Sequence, residues 1–246
     1  AQSRSVDYVA ERIRARVNDP QVAELLIPRD HGFGMRRMPM ETGYFEAYNR
    51  DNVRLVSLLD TPIERITRTG LQTSEESFDF DVLVYATGFD VMTGAFDKID
   101  IRGADGQKLK EKWQGSPTTY LGVMVNGFPN MLMVAGPQSV SGSTNYPRAI
   151  EVCVDWIGAL LEHARTAGLS RLEADVDAEN TWTQEVIDMQ EAMPFSKVKS
   201  WFTGFNANVQ AADAAPRYIA YWGGAPRYTK ILNRVASEGF RDINMD

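Results

Sequence analysis

Cysteine and histidine are almost missing from this 246-residue chain: Cys153 is its one thiol, and His31 and His163 are its two imidazoles. One cysteine excludes an internal disulfide, a CxxC redox centre and a thiolate zinc cage, and two histidines so far apart make no local metal motif. A reducing, cytoplasmic setting is expected. No apolar run approaches the roughly 20 residues a membrane-spanning helix needs, so no membrane partner is expected. Long basic runs are missing too. Lys and Arg number 26 against 33 Asp and Glu, a formal charge of −7 with an isoelectric point near 5.0, which argues against nucleic acid as a partner. No GxGxxG occurs, since Gly32-Phe33-Gly34 runs into Met-Arg-Arg and has no strand before it. This chain alone therefore cannot build a complete dinucleotide fold. It starts without methionine, on a charged amphipathic stretch rather than a signal-peptide core, so a start inside a longer protein is expected.

What is present is ordinary globular material, 43% hydrophobic and 24% charged. Val6, Val9, Ile13 and Val17 recur at helical steps, which predicts an amphipathic helix ending near Asn18-Asp19-Pro20, with a second short helix in QVAELLIP. Strands are expected over 35–40, in VRLVSLL and in Val82-Leu83-Val84-Tyr85, with a short helix in TGYFEAYN and a turn at Gly70. Further on, TYLGVMV and Met131 to Ala135 predict a second sheet layer. Pro147 sits where the first turn of a long helix to about Arg165 should lie. That helix carries Ile150, Cys153, Trp156, Ile157 and Leu160 and is expected to be largely buried. Helices are also expected over 177–193 and 226–238, and an exposed loop over 211–216.

Two stretches carry chemistry. The apolar run ending in Ala86-Thr87-Gly88 places a glycine just past a strand, where a dinucleotide or a crossing chain can approach the backbone closely. The second is the unit of apolar run, Gly136-Pro137, small polar loop and helix. It points a helix N-terminus, with its unpaired N–H groups and partial positive charge, at whatever occupies the loop. A flavin's pyrimidine edge would suit that place, which makes Ser139 and Asn145, at the two ends of the loop, cofactor-binding candidates.

Read in order, PRDHGFGMRRMPMETGYFEAYNRDNVRL, DVLVYATGFDVMTGAFDKIDIRG, TYLGVMVNGFPNMLMVAGPQS and KSWFTGFN resemble the C-terminal half of Baeyer–Villiger monooxygenases, and the resemblance covers essentially the whole chain. It implies an α/β fold: part of a flavoprotein with two interleaved Rossmann-like domains, one for FAD and one for NADPH, whose N-terminal half is absent here. Residues 1–34 would be a helical segment of the NADPH-binding region and 35–90 the C-terminal part of that domain. Residues 91–246 would be the C-terminal part of the FAD-binding domain, with the ATG segment as the crossing between the two.

The implied activity is insertion of one oxygen of O2 beside a ketone carbonyl, by way of a C4a-peroxyflavin, to give an ester or lactone. FAD and NADPH are the implied cofactors. Ketone, O2 and the missing N-terminal half are the implied partners, and the fragment alone should be inactive. Arg37 matches the catalytic arginine, a permanently charged fork suited to an anionic oxygen species. Arg36 matches the basic residue that reads the NADPH 2′-phosphate. Trp201 matches a tryptophan beside the nicotinamide ribose, and Gly88 sits at the crossing. Ser141, Gly142, Ser143 and Tyr146 fall in the substrate-pocket loop, where Tyr146 departs from the aliphatic or Met residue expected. His31 is read as structural. Two other readings remain open at this point. An N-hydroxylating flavin monooxygenase fragment shares the ATG crossing, though Arg36-Arg37 and Trp201 count against it. A non-catalytic remnant or binding module, its exposed faces taken up by a partner, is the other.

Overall fold

The computed structural model describes residues 2–90, 92–140, 144–206 and 214–246. It divides into two units, Ala1–Gly88 and Phe89–Asp246.

In the first unit, α1 (Gln2–Arg14) turns Ala10 and Ile13 inward, where they pack with Val17, Ala23 and Ile27 around α2 (Pro20–Leu26). Asp19 ends the connection and starts α2: its carboxylate accepts from the Gln21 and Val22 amides, and Pro20 takes the first turn, where no N–H is needed. Arg16 then ties this pair to α3 (Tyr44–Ala47). Its guanidinium reaches Glu46 at 2.5 Å and Glu41 at 2.7 Å and lies 4.9 Å from the centre of the Phe45 ring. Three short antiparallel strands follow in the order β1 (Ile63–Ile66), β2 (Gly70–Thr73) and β3 (Ser77–Asp79), with Ile66 opposite Leu71 and Leu71 opposite Phe78.

Three expected strands of this unit are not formed. Residues 35–40, 53–59 and 82–85 join no ladder. Val82 and Val84 are 75% and 77% exposed, although their sequence is that of an apolar strand. The physical reason is pairing. A strand is fixed by neighbours that take its N–H and C=O groups, and no described residue lies beside 82–85 in that role.

The second unit is built on helices. In α5 (Tyr146–Ala167), Ala149, Cys153, Trp156, Leu160 and Ala164 form one buried stripe. It faces α7 (Ala225–Ser237), where Tyr228, Leu232 and Val235 are buried, and the Trp156 indole donates to the Leu232 carbonyl at 3.0 Å. The expectation that α5 is buried on most faces is corrected, because Ile150, Val154 and Leu161 lie on an exposed side. Trp182 and Val186 of α6 (Val176–Glu191) enter the same core, with the Trp182 ring stacked on Tyr221 at 4.9 Å. A smaller cluster gathers Trp113, Val125 and Phe128 around Leu109 of α4 (Leu109–Lys112).

The expected second sheet layer is also corrected. Residues 119–125 are buried and 131–135 only at Met133, and the two stretches pair only through an isolated Tyr120–Met124 bridge and single hydrogen bonds. The sheet of this unit is instead the antiparallel pair β4 (Leu172–Ala174) and β5 (Ile243–Met245), with Leu172 opposite Met245. Among the described residues no helix is long and apolar enough to cross a membrane, and no cluster of His, Cys, Asp and Glu could hold a metal ion.

Candidate functional site

The candidate residues fall into two groups, one in each unit. In the first unit they lie on the loop between α2 and α3, whose far end is fastened by Glu41: one carboxylate oxygen meets Arg16 and the other accepts from the Tyr44 amide at 2.9 Å. Arg36 and Arg37 stand on this loop, on the wall of a cavity of about 640 Å³ lined mainly by Val9, Ile13, Ile27, Phe33, Met38 and Phe45.

The two arginines differ. The Arg36 guanidinium is 2.8 Å from Asp30. Asp30 also meets His31 Nδ1 at 2.6 Å, and its carboxyl is held below its usual range by that hydrogen bond first and by the Arg36 charge after it. His31 is therefore engaged in holding its own loop. Arg37 is exposed and faces no carboxylate among the described residues. A guanidinium cannot discharge its positive charge, so Arg37 remains an available cation with five N–H donors beside an apolar cavity.

In the second unit, the apolar run 131–135 leads through Gly136-Pro137 to Gln138, which has a φ of 65° and is fully buried. Its side-chain oxygen accepts from the Thr119 amide at 3.1 Å and the Thr119 hydroxyl at 2.9 Å, and its amide donates to the Pro117 carbonyl at 2.7 Å. This fastens the start of the loop to residues 117–119. Ser139 comes next, with no exposure, and its hydroxyl has no hydrogen-bond partner among the described residues. Ser141, Gly142 and Ser143 lie outside the described residues, as do 211–213 of the expected exposed loop.

Asn145 caps α5, its side-chain oxygen accepting from the Arg148 amide at 3.4 Å, so that this oxygen already serves the helix. Tyr146 is half-exposed and points its hydroxyl at the sulfur of Met92, 3.7 Å away. Trp201 opens a 3-10 turn, Trp201–Thr203, which Ser200 and Thr203 cap reciprocally, and its ring lies 4.6 Å from that of Phe202. Gly88 has a φ of 84°, a conformation that side-chain-bearing residues rarely adopt.

Sequence reasoning missed Gln138, whose only signal is its place after Gly-Pro, and the pair Lys112–Glu179. Glu179 is 3% exposed; it lies 2.8 Å from the Lys112 ammonium and accepts from the Asn126 amide at 2.5 Å. The Asn126-Gly127 turn is thus anchored on a charge inside the protein. No spacing of Lys and Glu 67 positions apart announces such a contact.

No family model matches the chain. It is 37% identical over 237 residues to an acetone monooxygenase (methyl acetate-forming) of Gordonia sp., covering 96% of this chain and 44% of that enzyme. It is also 37% identical over 238 residues to a phenazine N-monooxygenase of Lysobacter antibioticus, covering 95% of this chain and 42% of that enzyme. The crystal structure of OTEMO complexed with FAD and NADP matches all of the chain and 45% of its own length, at 36% identity and a TM-score of 0.91. The mixed helix-and-sheet fold therefore matches part of a monooxygenase flavoprotein. The chain is homologous to the C-terminal part of Baeyer–Villiger monooxygenases and spans about 44% of the length of the curated relatives it matches.

Proposed function

We propose that this chain is the C-terminal portion of an FAD- and NADPH-dependent Baeyer–Villiger monooxygenase that works with an N-terminal portion in the cytoplasm. Its substrates are a ketone and O2, and its product is an ester or lactone. The observation that carries the reading is Arg37, an exposed guanidinium with no carboxylate partner among the described residues, on the wall of an apolar cavity of about 640 Å³. Such a cavity suits a ketone, and a fixed cation on its wall suits the negative charge that develops on oxygen as the carbonyl is attacked.

The donor set fits the two cofactors. The buried Ser139 hydroxyl, without a partner among the described residues, offers an O–H group to the polar edge of a flavin. Trp201 offers a half-buried indole to a nicotinamide ribose, and Arg36 a cation to the 2′-phosphate. When bound and reduced by NADPH, the flavin supplies the activation of O2. Arg37 offers its guanidinium donors to the negative charge that develops on oxygen as the carbonyl is attacked. Gly88, with a φ of 84° and nothing within 4 Å of where a Cβ would stand, leaves its backbone open to close approach by a cofactor.

Similarity to a phenazine N-monooxygenase favours a second reading, oxygen transfer to an aromatic nitrogen by the same cofactors. The natural polypeptide that carries this chain, purified with flavin, separates the two. Consumption of NADPH with a cyclic ketone, giving the lactone, supports the first. An N-oxide from phenazine with no lactone from any ketone supports the second. Neither product from a flavin-loaded enzyme would leave the remnant or binding-module reading standing.

A further inference from the structure

The turn that carries Trp201 and the segment that follows the Ala86-Thr87-Gly88 crossing meet on one side chain. Arg217 donates from its backbone amide to the Thr203 carbonyl at 2.8 Å, and from its guanidinium to the Thr93 hydroxyl at 2.6 Å. Its own carbonyl accepts from the Gln190 side chain of α6 at 3.0 Å. Thr93, Thr203 and Gln190 are all buried, so these three bonds tie a half-buried arginine to buried partners in the second unit. The Arg217 Nε–H is itself buried without an acceptor among the described residues, an unfavourable state that a solvated arginine would escape.

The turn is also packed against this residue. Gly204, its left-handed cap with a φ of 66°, comes so close that a Cβ there would lie 2.7 Å from the Arg217 Cβ. A second tie runs alongside, from the Asn206 side chain to the Phe89 carbonyl at 3.1 Å. The Ser200 and Thr203 caps close the turn on itself, and the ties to Arg217 and Phe89 join it to the rest of the unit.

We propose that Arg217 is a positioning residue that fastens the Trp201 turn to Thr93, behind the crossing, and so presents the indole to the nicotinamide cofactor in one orientation. The cofactor half of this statement rests on the reading of Trp201 given above. The mechanical half does not. If the link is real, motion at the crossing is felt at Trp201 through the Arg217–Thr93 bond.

Amide hydrogen exchange followed by mass spectrometry on the 246-residue chain tests the mechanical half. Arg217→Met keeps the stem and removes the guanidinium, and about tenfold faster exchange is expected at both 200–206 and 92–96, with α5 and α7 unchanged. Thr93→Val should reproduce the effect, the double variant should add nothing to it, and Arg217→Lys should restore part. Unchanged exchange at either segment overturns the proposal. So does acceleration spread through α5 and α7, which would make Arg217 a general core residue. In the natural polypeptide loaded with flavin, Arg217→Met should then raise the KM for NADPH about tenfold with kcat within about twofold, the ratio expected when one charge-assisted bond no longer orders a binding element. Local exchange changes with an unaltered KM would overturn the role given to Trp201 while leaving the tie itself in place.

Discussion

Arg36 is held by Asp30: its guanidinium lies 2.8 Å from a carboxylate that His31 also engages. A 2′-phosphate reaching Arg36 must therefore compete with a carboxylate already in place. NADPH should be preferred over NADH by about tenfold, the low end of what one charge-assisted contact supplies. Arg36→Ala should erode this ratio through the NADPH term, and Asp30→Asn should widen it by releasing the guanidinium. Specificity constants for both cofactors measure this. A ratio unmoved by either change would mean that Arg36 serves the loop alone.

The same pair sets a pH dependence. The Asp30 carboxyl is lowered in the folded chain, so its contribution is fully present above the unfolded value of about 3.9 and is lost as pH falls through the folded value. The loop should therefore hold its arrangement throughout the neutral range and loosen only below about pH 4. The Asp30 resonance, titrated by NMR in the chain and in Arg36→Ala, gives the check: its midpoint should stay low in the variant, because the His31 bond is the larger cause.

Arg37→Ala in the natural polypeptide should remove ketone oxygenation while leaving flavin reduction by NADPH measurable, since reduction places no new negative charge on the ketone oxygen. Loss of one such preorganised cationic donor costs about a hundred- to a thousandfold in kcat. Arg37→Lys should recover little, because an ammonium lacks the planar fork. Stopped-flow measurement of the two half-reactions separates them, and equal losses in both would place Arg37 outside the oxygenation step.

Glu179 is predicted to matter more for folding than its charge would suggest. Its carboxylate is 3% exposed and serves both Lys112 and the Asn126 amide, so Glu179→Leu leaves that amide without its acceptor and the half-buried Lys112 ammonium with the Asn126 carbonyl but no counter-charge. Urea unfolding should show a loss of roughly 3–5 kcal/mol, as for other broken buried pairs. Lys112→Met with Glu179→Leu should recover part of it, since two apolar residues leave no charge unpaired. A single-variant loss under about 1 kcal/mol would show that water reaches the pair.

Helices were the legible part of this fold. α1, α2, α5, α6 and α7 carry their own periodicity, with Asp19-Pro20 and Asn145-Tyr146-Pro147 marking two starts within a residue. Strands were not legible, because Val82 to Tyr85 or Met131 to Ala135 state a need for burial without naming a partner. The site divides the same way. Arg36 and Arg37 stand out as adjacent cations, whereas Gln138 and Arg217 act through contacts 21 and 124 positions away in the chain. Distances of that kind are created by folding, and no local pattern records them.

The 246-residue chain on its own should not retain flavin. It contains no GxGxxG, and without that turn no backbone cradle meets the pyrophosphate at a helix N-terminus. The Ser139 hydroxyl could contribute to the ring's polar edge alone, which is a minor part of what holds a dinucleotide. The purified chain should be colourless, and titration with FAD should leave the flavin's fluorescence unquenched. A yellow protein with one tightly held flavin would mean that the cradle is built from residues other than glycine-rich ones.

Tyr146 bears on substrate size. Its hydroxyl lies 3.7 Å from the Met92 sulfur, so the ring is turned toward the segment behind the crossing. With the ring so placed, both a small cyclic ketone and a bulky aryl ketone should be turned over. Tyr146→Ala should then change the ratio of their specificity constants by less than about threefold, because one pocket contact of this size is worth about 1–3 kcal/mol only where it touches the substrate. Tyr146→Phe should be neutral, since a hydroxyl on a thioether is a weak bond. The competition experiment, with both ketones offered together to parent and variants, reads the ratio directly. A parent confined to the small ketone, with the large one rescued by Tyr146→Ala, would show that the ring swings away from Met92 and closes the pocket when substrate arrives.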